Sequence, residues 1–175
     1  ILGFGLNESF AGEAGVGAFR QDLQSYLREM KRRHPGASLI VLSPIATEDL
    51  KHSYYPEADR RNSEIRTYVR IMSEVSSESG ARFVDLFTPS LAAYSKEEVP
   101  LTTNGIHLNN QGYAMIARVL SRELLGEETY AKLDFARAEV VAQEVRRKAQ
   151  HVASVVRPVN TVLYFGVRGR AHEYD

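Results

Sequence analysis

The chain has 175 residues, 43% of them apolar, with 22 basic side chains balanced by 22 acidic ones, which predicts one globular domain with an adequate core. Zero net charge and the lack of a basic stripe exclude the phosphate-neutralising surface that a nucleic-acid partner requires, and no apolar run is long enough to span a bilayer. With no cysteine there is no disulfide framework, no thiolate zinc site and no cysteine nucleophile.

The first residues, Ile1-Leu2-Gly3-Phe4-Gly5, read as the end of a buried strand. The chain is therefore expected to be a fragment, with further strands of its domain and any signal peptide ahead of Ile1. Phe19, Leu23, Tyr26, Leu27 and Met30 recur at helical spacing through residues 14–34, and His34-Pro35-Gly36 stops that helix. Ser38-Leu39-Ile40-Val41-Leu42-Ser43, closed by Pro44, has the form of a strand buried on both faces. Ile65, Tyr68, Val69 and Met72 mark a second amphipathic helix that closes at Gly80, and residues 82–87 follow as a strand. Thr88-Pro89 has the cap and first-turn residues of another short helix.

Farther along, Tyr113, Ile116, Ala117 and Leu120 define one face of a helix capped by Asn109 or Asn110. The spacing of Leu133, Ala136, Val140 and Val141 predicts one long surface helix over residues 127 to about 156. The expected division is a partial α/β domain over residues 1–125 and a C-terminal helix and tail over residues 126–175. Alternating helices and strands predict a parallel sheet. The strands counted, residues 1–5, 39–43 and 82–87, fall short of the roughly five of a doubly wound sheet. The first of them would then present a bare edge, and the segment alone is expected to aggregate or to need a partner.

His107 follows the turn-forming pair Asn104-Gly105 and precedes a helix cap, which places its imidazole on the rim of the sheet. Imidazole titrates near neutrality and relays a proton from an attacking hydroxyl to a leaving group, although a lone loop histidine more often serves as a local hydrogen-bonding residue. Asn7 lies just after the first strand in Gly5-Leu6-Asn7-Glu8-Ser9. Its amide and the nearby N–H groups can donate to a developing oxyanion, with Gly5 allowing close approach of a substrate. Taken alone, such an Asn more often closes a turn. Ser9 and Ser43 sit at strand ends, and neither has the surroundings of a nucleophile. His52, Tyr54 and Tyr55 lie in the loop after the second strand, a surface loop that can wall a sugar site. His172-Glu173 lacks a second ligand at metal spacing and there is no Gly-rich phosphate loop, so no metal, cofactor or nucleotide is expected.

Gly5-Leu6-Asn7-Glu8, the αβαβ stretch, and Asn104-Gly105-Ile106-His107-Leu108-Asn109-Asn110-Gln111-Gly112-Tyr113 together resemble the SGNH/GDSL hydrolases over roughly residues 1–125. The resemblance implies a flavodoxin-like three-layer α/β/α fold with a parallel sheet whose N-terminal strands are missing here. It also implies cofactor-free ester hydrolysis, with Asn7 as oxyanion donor, His107 as general base and Glu8 in the slot of the usual Asp. The implied substrate is a small-molecule or carbohydrate ester, foremost a carbohydrate O-acyl ester, and the implied location is the periplasm or exterior of a bacterial cell.

The chain departs from the family pattern twice. The family's acid stands three residues before the histidine, and that slot holds Asn104, which can orient the ring but offers no carboxylate. Glu48, Asp49 or another acid can stand in for the missing carboxylate, and the sequence does not place them. The Gly-Asp-Ser nucleophile block and the glycine block after it, both of which precede the Asn block in the family, are absent from residues 1–175. Residues 158–170 resemble segments that follow such domains in large exported bacterial proteins, where Arg168 and Arg170 are either a carboxylate or sugar clamp or a solvated basic tail. Two alternatives stand beside the hydrolase. One is a non-catalytic carbohydrate-binding or scaffold module of this fold that has lost its acid, and the other is an unrelated flavodoxin-like regulator or cofactor binder.

Overall fold

In the computed structural model, which describes residues 1–55, 57–97 and 99–156, three short strands pair in parallel: β1 (Leu2–Gly3), β2 (Ile40–Leu42) and β3 (Arg82–Val84). Their order is β1-β2-β3, with Leu2 beside Val41 and Val41 beside Phe83. The expectations for Arg168, Arg170, His172-Glu173 and the rest of the tail lie outside the described residues.

Helix α1 (Val16–Arg33) links β1 to β2 and α2 (Ala58–Glu78) links β2 to β3. Both connections step the same way along the sheet, and right-handed crossovers in one direction place both helices on one face. Val41 and Phe83 point to that face, where they pack with Phe19, Leu23 and Leu27 of α1 and Tyr68, Met72 and Val75 of α2. Strand residues alternate in direction, so Ile40, Leu42 and Val84 face the other side. There α4 (Asn110–Leu125) covers them with Met115, Ile116, Val119 and Leu120. The result is the expected α/β/α layering, with Val41 completely buried at the centre.

Several elements differ from their sequence-based form. Strand β3 stops at Val84 because Phe87 begins α3 (Phe87–Tyr94). The N-cap position is Leu86, and the first-turn N–H groups of Phe87 and Thr88 donate to Asp85 Oδ1 at 2.8 and 3.1 Å, so Thr88 lies inside the helix. On α4 the buried face carries Gly112 and Ile116, while Tyr113 and Ala117 are exposed. The stripe is turned by one position, because the helix must lay Gly112 against residue 101. The single long helix is two, α5 (Glu127–Ala131) and α6 (Phe135–Val156), interrupted where Asp134 Oδ1 accepts from Arg137 N at 3.0 Å and caps the second. Backbone packing groups Ile1–Tyr130 as one compact unit and Ala131–Asp175 as another. Within the second, α6 is an amphipathic helix with Val140, Val141 and Val145 exposed. Among the described residues no helix is long and apolar enough to cross a membrane.

Ser43, buried at the end of β2, joins the sheet to α3: its Oγ accepts from Leu86 N at 2.8 Å and Phe87 N at 3.0 Å. Ser43→Ala leaves the Leu86 N–H without this acceptor, and the expected loss of stability is about 1–3 kcal/mol. Chemical denaturation reads it as a lower midpoint with an unchanged slope.

Candidate active site

The segment carrying His107 is held at both ends. Asn109 caps α4, its Oδ1 accepting from Gln111 N and Gly112 N at 3.0 Å each. The same residue donates from Nδ2 to Pro100 O at 2.6 Å and from its main chain to Leu101 O at 2.9 Å. Thr102 and Leu108 form an antiparallel bridge, and Thr103 N donates to His107 O at 2.8 Å. Residues 101–109 therefore close into a narrow loop with Asn104-Gly105 at its tip. Gly105 has φ +87°, and a Cβ there would stand 3.0 Å from Glu48 O, so both the turn and its packing demand glycine.

Asn104 Oδ1 accepts from Ile106 N at 3.3 Å and His107 N at 3.0 Å. Only the oxygen of an amide can accept from main-chain N–H groups, so these two bonds determine which way the side chain is turned. The same oxygen lies 3.0 Å from His107 Nδ1. A ring nitrogen facing an acceptor must carry the proton, which leaves neutral His107 with a bare lone pair on Nε2. The residue is exposed to solvent.

Asn7 is exposed and opens a 3-10 segment, Glu8–Gly15, in which its side chain makes no capping bond. The turn that presents it is closed from within. Gly5 N donates to Glu8 Oε2 at 2.8 Å, which gives the Glu in the Asp slot a turn-closing contact. Ser9 Oγ donates to Leu6 O at 2.6 Å and accepts from Arg61 Nη2 of α2 at 2.8 Å. The Arg61 guanidinium is buried over the Phe10 ring, 3.7 Å from its centroid. The space beside Gly5 is filled by Met72 and Pro44, a Cβ there lying 2.8 Å from Met72 Sδ. Glycine at this position makes room for Met72 and Pro44, and its N–H donates to Glu8.

Asn7 follows β1 and residues 43–48 follow β2, so in a parallel sheet both leave at the carboxyl edge, where open α/β sheets bind ligands. Leu6 and Ala46 pack in one cluster with Ile65, Val69 and Phe87, and Glu48 N donates to Gly105 O at 2.8 Å. The Asn7 turn and the His107 loop thus share that edge.

The other residues singled out from sequence have structural partners. The Glu48 carboxylate accepts from Leu101 N and from Thr102, so it holds the loop main chain and not the imidazole. Asp49 pairs with exposed Lys51, which pulls its pKa below the usual carboxylate range. The Ser9 hydroxyl is spent on Leu6 O and the Ser43 hydroxyl on Pro44 O, at 3.0 Å for the latter. His52 lies within 5.2 Å of the Tyr54 ring and 5.3 Å of the Tyr55 ring, a small exposed aromatic cluster. Sequence reasoning missed the parts played by Thr102 and Arg61, and left Glu48 without a place. The one cue for Glu48 is a charge that interrupts the apolar run after β2.

Sequentially ordered parallel strands between helical layers, with both motif loops on the carboxyl edge, make this a flavodoxin-like α/β fold. More specifically, the chain belongs to the GDSL-like lipase/acylhydrolase family, whose model matches residues 1–115. Among solved structures it is similar to a catalytic mutant of Axe2, an acetylxylan esterase from Geobacillus stearothermophilus, at 20% identity and TM-score 0.54 over 69% of this chain and 56% of that one. It is similar also to a peptidoglycan O-acetylesterase, at 16% identity and TM-score 0.57 over 75% of this chain and 38% of that one. A third is the lipase/acylhydrolase from Enterococcus faecalis, at 21% identity and TM-score 0.50 over 71% of this chain and 60% of that one. At these identities the likeness is one of fold. The chain spans little more than half the length of Axe2, 56%. No curated protein sequence matches significantly.

Gly112 presses on the loop so closely that a Cβ would fall 2.1 Å from Leu101 O. Gly112→Ala is expected to push α4 off residue 101 and to destabilise the protein by about 1–3 kcal/mol. Thermal melting measures it, and an unchanged Tm would mean that the loop yields freely.

Proposed function

We propose that this chain is the part of a serine-dependent ester hydrolase that carries the general base and the oxyanion donor. Its substrate in this reading is a carbohydrate O-acyl ester, an acetyl ester foremost. The observation that carries the reading is the 3.0 Å contact between His107 Nδ1 and Asn104 Oδ1, which leaves Nε2 as the proton acceptor.

A serine from a segment ahead of Ile1 attacks the acyl carbonyl while Nε2 of His107 takes its proton. The Asn7 amide donates to the oxygen that becomes negative. The imidazolium then protonates the sugar oxygen as its bond to the acyl carbon breaks, so the sugar leaves as its free hydroxyl and the acyl group is left on serine. Water repeats the sequence, releasing the acid and the free serine. A serine from elsewhere is supported by the engaged hydroxyls of Ser9 and Ser43 and by the partial coverage of Axe2, 56%. The carbohydrate substrate is supported by the acetylxylan and peptidoglycan O-acetyl esterases of like fold, and by the faces of His52, Tyr54 and Tyr55.

Asn104 holds the ring but sets no negative charge against the imidazolium, so the pair is weaker than an Asp-His pair. That amide is also the observation favouring a second reading, a carbohydrate-binding module of the same fold that has no turnover.

Hydrolysis of p-nitrophenyl acetate by the full-length protein separates the two. His107→Ala is expected to lower kcat by at least about 100-fold, and Asn7→Ala by roughly 100- to 1000-fold. Asn104→Asp is expected to raise kcat by roughly tenfold or more. Folded wild type and variants that all lack turnover would leave the binding module, and turnover that survives His107→Ala would remove His107 as the base.

A further inference from the structure

We propose that Glu48 is a positioning residue for the His107 loop, its carboxylate and its own main-chain N–H together fixing the Asn104-Gly105 turn and thereby the place of the imidazole. The functional part of this proposal rests on the reading of His107 as general base.

Glu48 is 6% exposed and lies beneath the loop. Its Oε1 accepts from Leu101 N at 2.9 Å, and its Oε2 accepts from Thr102 N at 2.7 Å and from the Thr102 hydroxyl at 2.5 Å. With its O–H donating to Glu48, Thr102 Oγ1 keeps lone pairs to offer, and it accepts from Gly105 N at 3.0 Å. The other side of the same glycine is held directly, Glu48 N donating to Gly105 O at 2.8 Å. Both polar groups of Gly105 therefore trace back to Glu48. One residue earlier, Asn104 turns its oxygen onto Ile106 N, His107 N and His107 Nδ1. The path runs from Glu48 through Thr102 and Gly105 to Asn104, and from there to the ring.

The platform beneath Glu48 is itself held by hydrogen bonds. Thr47 N donates to Asn62 Oδ1 at 2.7 Å, Asn62 Nδ2 returns a bond to Thr47 O at 2.9 Å, and Ala46 N donates to Ser90 Oγ at 2.8 Å. The segment after β2 is thus pinned to α2 and α3 before it reaches the loop. An ionised acceptor makes shorter and stronger bonds to N–H and O–H donors than a neutral one, so a carboxylate suits this work better than an amide. An apolar side chain of equal size would leave the N–H groups of Leu101 and Thr102 without acceptors.

The test uses the full-length protein with Glu48→Gln and Thr102→Val. Glu48→Gln keeps the shape but turns an NH2 group toward a main-chain N–H. Its kcat on p-nitrophenyl acetate is expected to fall about 10- to 100-fold, as for a small displacement of a catalytic group, with KM held within about threefold. Thr102→Val, which cuts the link to Gly105 N, is expected to show a loss of similar size. The double variant should lose little more than either single one, because both act through one path.

A second readout does not need turnover. Ring 15N chemical shifts of His107 should report the Nδ1–H tautomer in wild type and a mixture with the Nε2–H tautomer in both variants. Folded Glu48→Gln that keeps kcat within about twofold and retains the wild-type tautomer would overturn the proposal, and so would fully additive losses in the double variant. If Glu48→Gln does not fold, Thr102→Val decides on the same two readouts. If His107→Ala retains turnover, or wild type has none, the base assignment fails, while the tautomer still decides for or against Glu48.

Discussion

Main-chain N–H groups outside a sheet or helix still need acceptors, and the His107 loop is built around that requirement. Among the described residues, 101–109 pair only through the Thr102–Leu108 bridge and join no strand ladder. Four side chains supply the missing acceptors: Glu48 for Leu101 and Thr102, Thr102 for Gly105, Asn104 for Ile106 and His107, and Asn109 for the first turn of α4. Each satisfies a main-chain polar group of the segment, and Asn104 meets the imidazole as well. Stability of the loop and geometry of the site are one set of bonds.

The Asn7 turn solves the same problem with different residues. Glu8 takes Gly5 N, Ser9 bridges to Leu6 O, and Arg61 reaches across from α2 to hold Ser9. A buried carboxylate under one loop and a buried guanidinium under the other each bring a charge into the interior, which is tolerated because polar groups surround it. Arg61 has a carboxylate partner as well, Glu64 on the same helix. Both loops lean on the segment after β2 and the start of α2, so the carboxyl edge of the sheet is their common reference.

Asn104 separates two services that a carboxylate usually performs together. Its oxygen orients the ring and selects the proton position, which needs only an acceptor in the right place. It adds no negative charge to balance an imidazolium, and stabilising that charge is the other half of a carboxylate's contribution. The loop around it is complete: the amide oxygen meets two main-chain donors and the ring, the same arrangement a carboxylate in that slot would support.

Much of this was legible in the sequence. The periodicity of Phe19, Leu23 and Leu27, the apolar run around Val41 and the Asn109 cap each depend on neighbours within one or two turns, so α1, β2 and the start of α4 could be read locally. Parallel pairing followed from the alternation of helices and strands. The motif residues Asn7, Asn104 and His107 were named for their types and spacing, and Asn104 proved to reach His107 because their separation of three residues fits a local turn. Three-dimensional packing decided the rest. It ended β3 at Val84, turned the face of α4 so that Gly112 meets Leu101, and gave the space beside Gly5 to Met72. It also brought Glu48 to Leu101 across 53 residues of sequence and Arg61 to Ser9 across 52. Residues that far apart share no periodicity and no turn. Their meeting depends on where the sheet edge and α2 carry them, which only the folded chain determines.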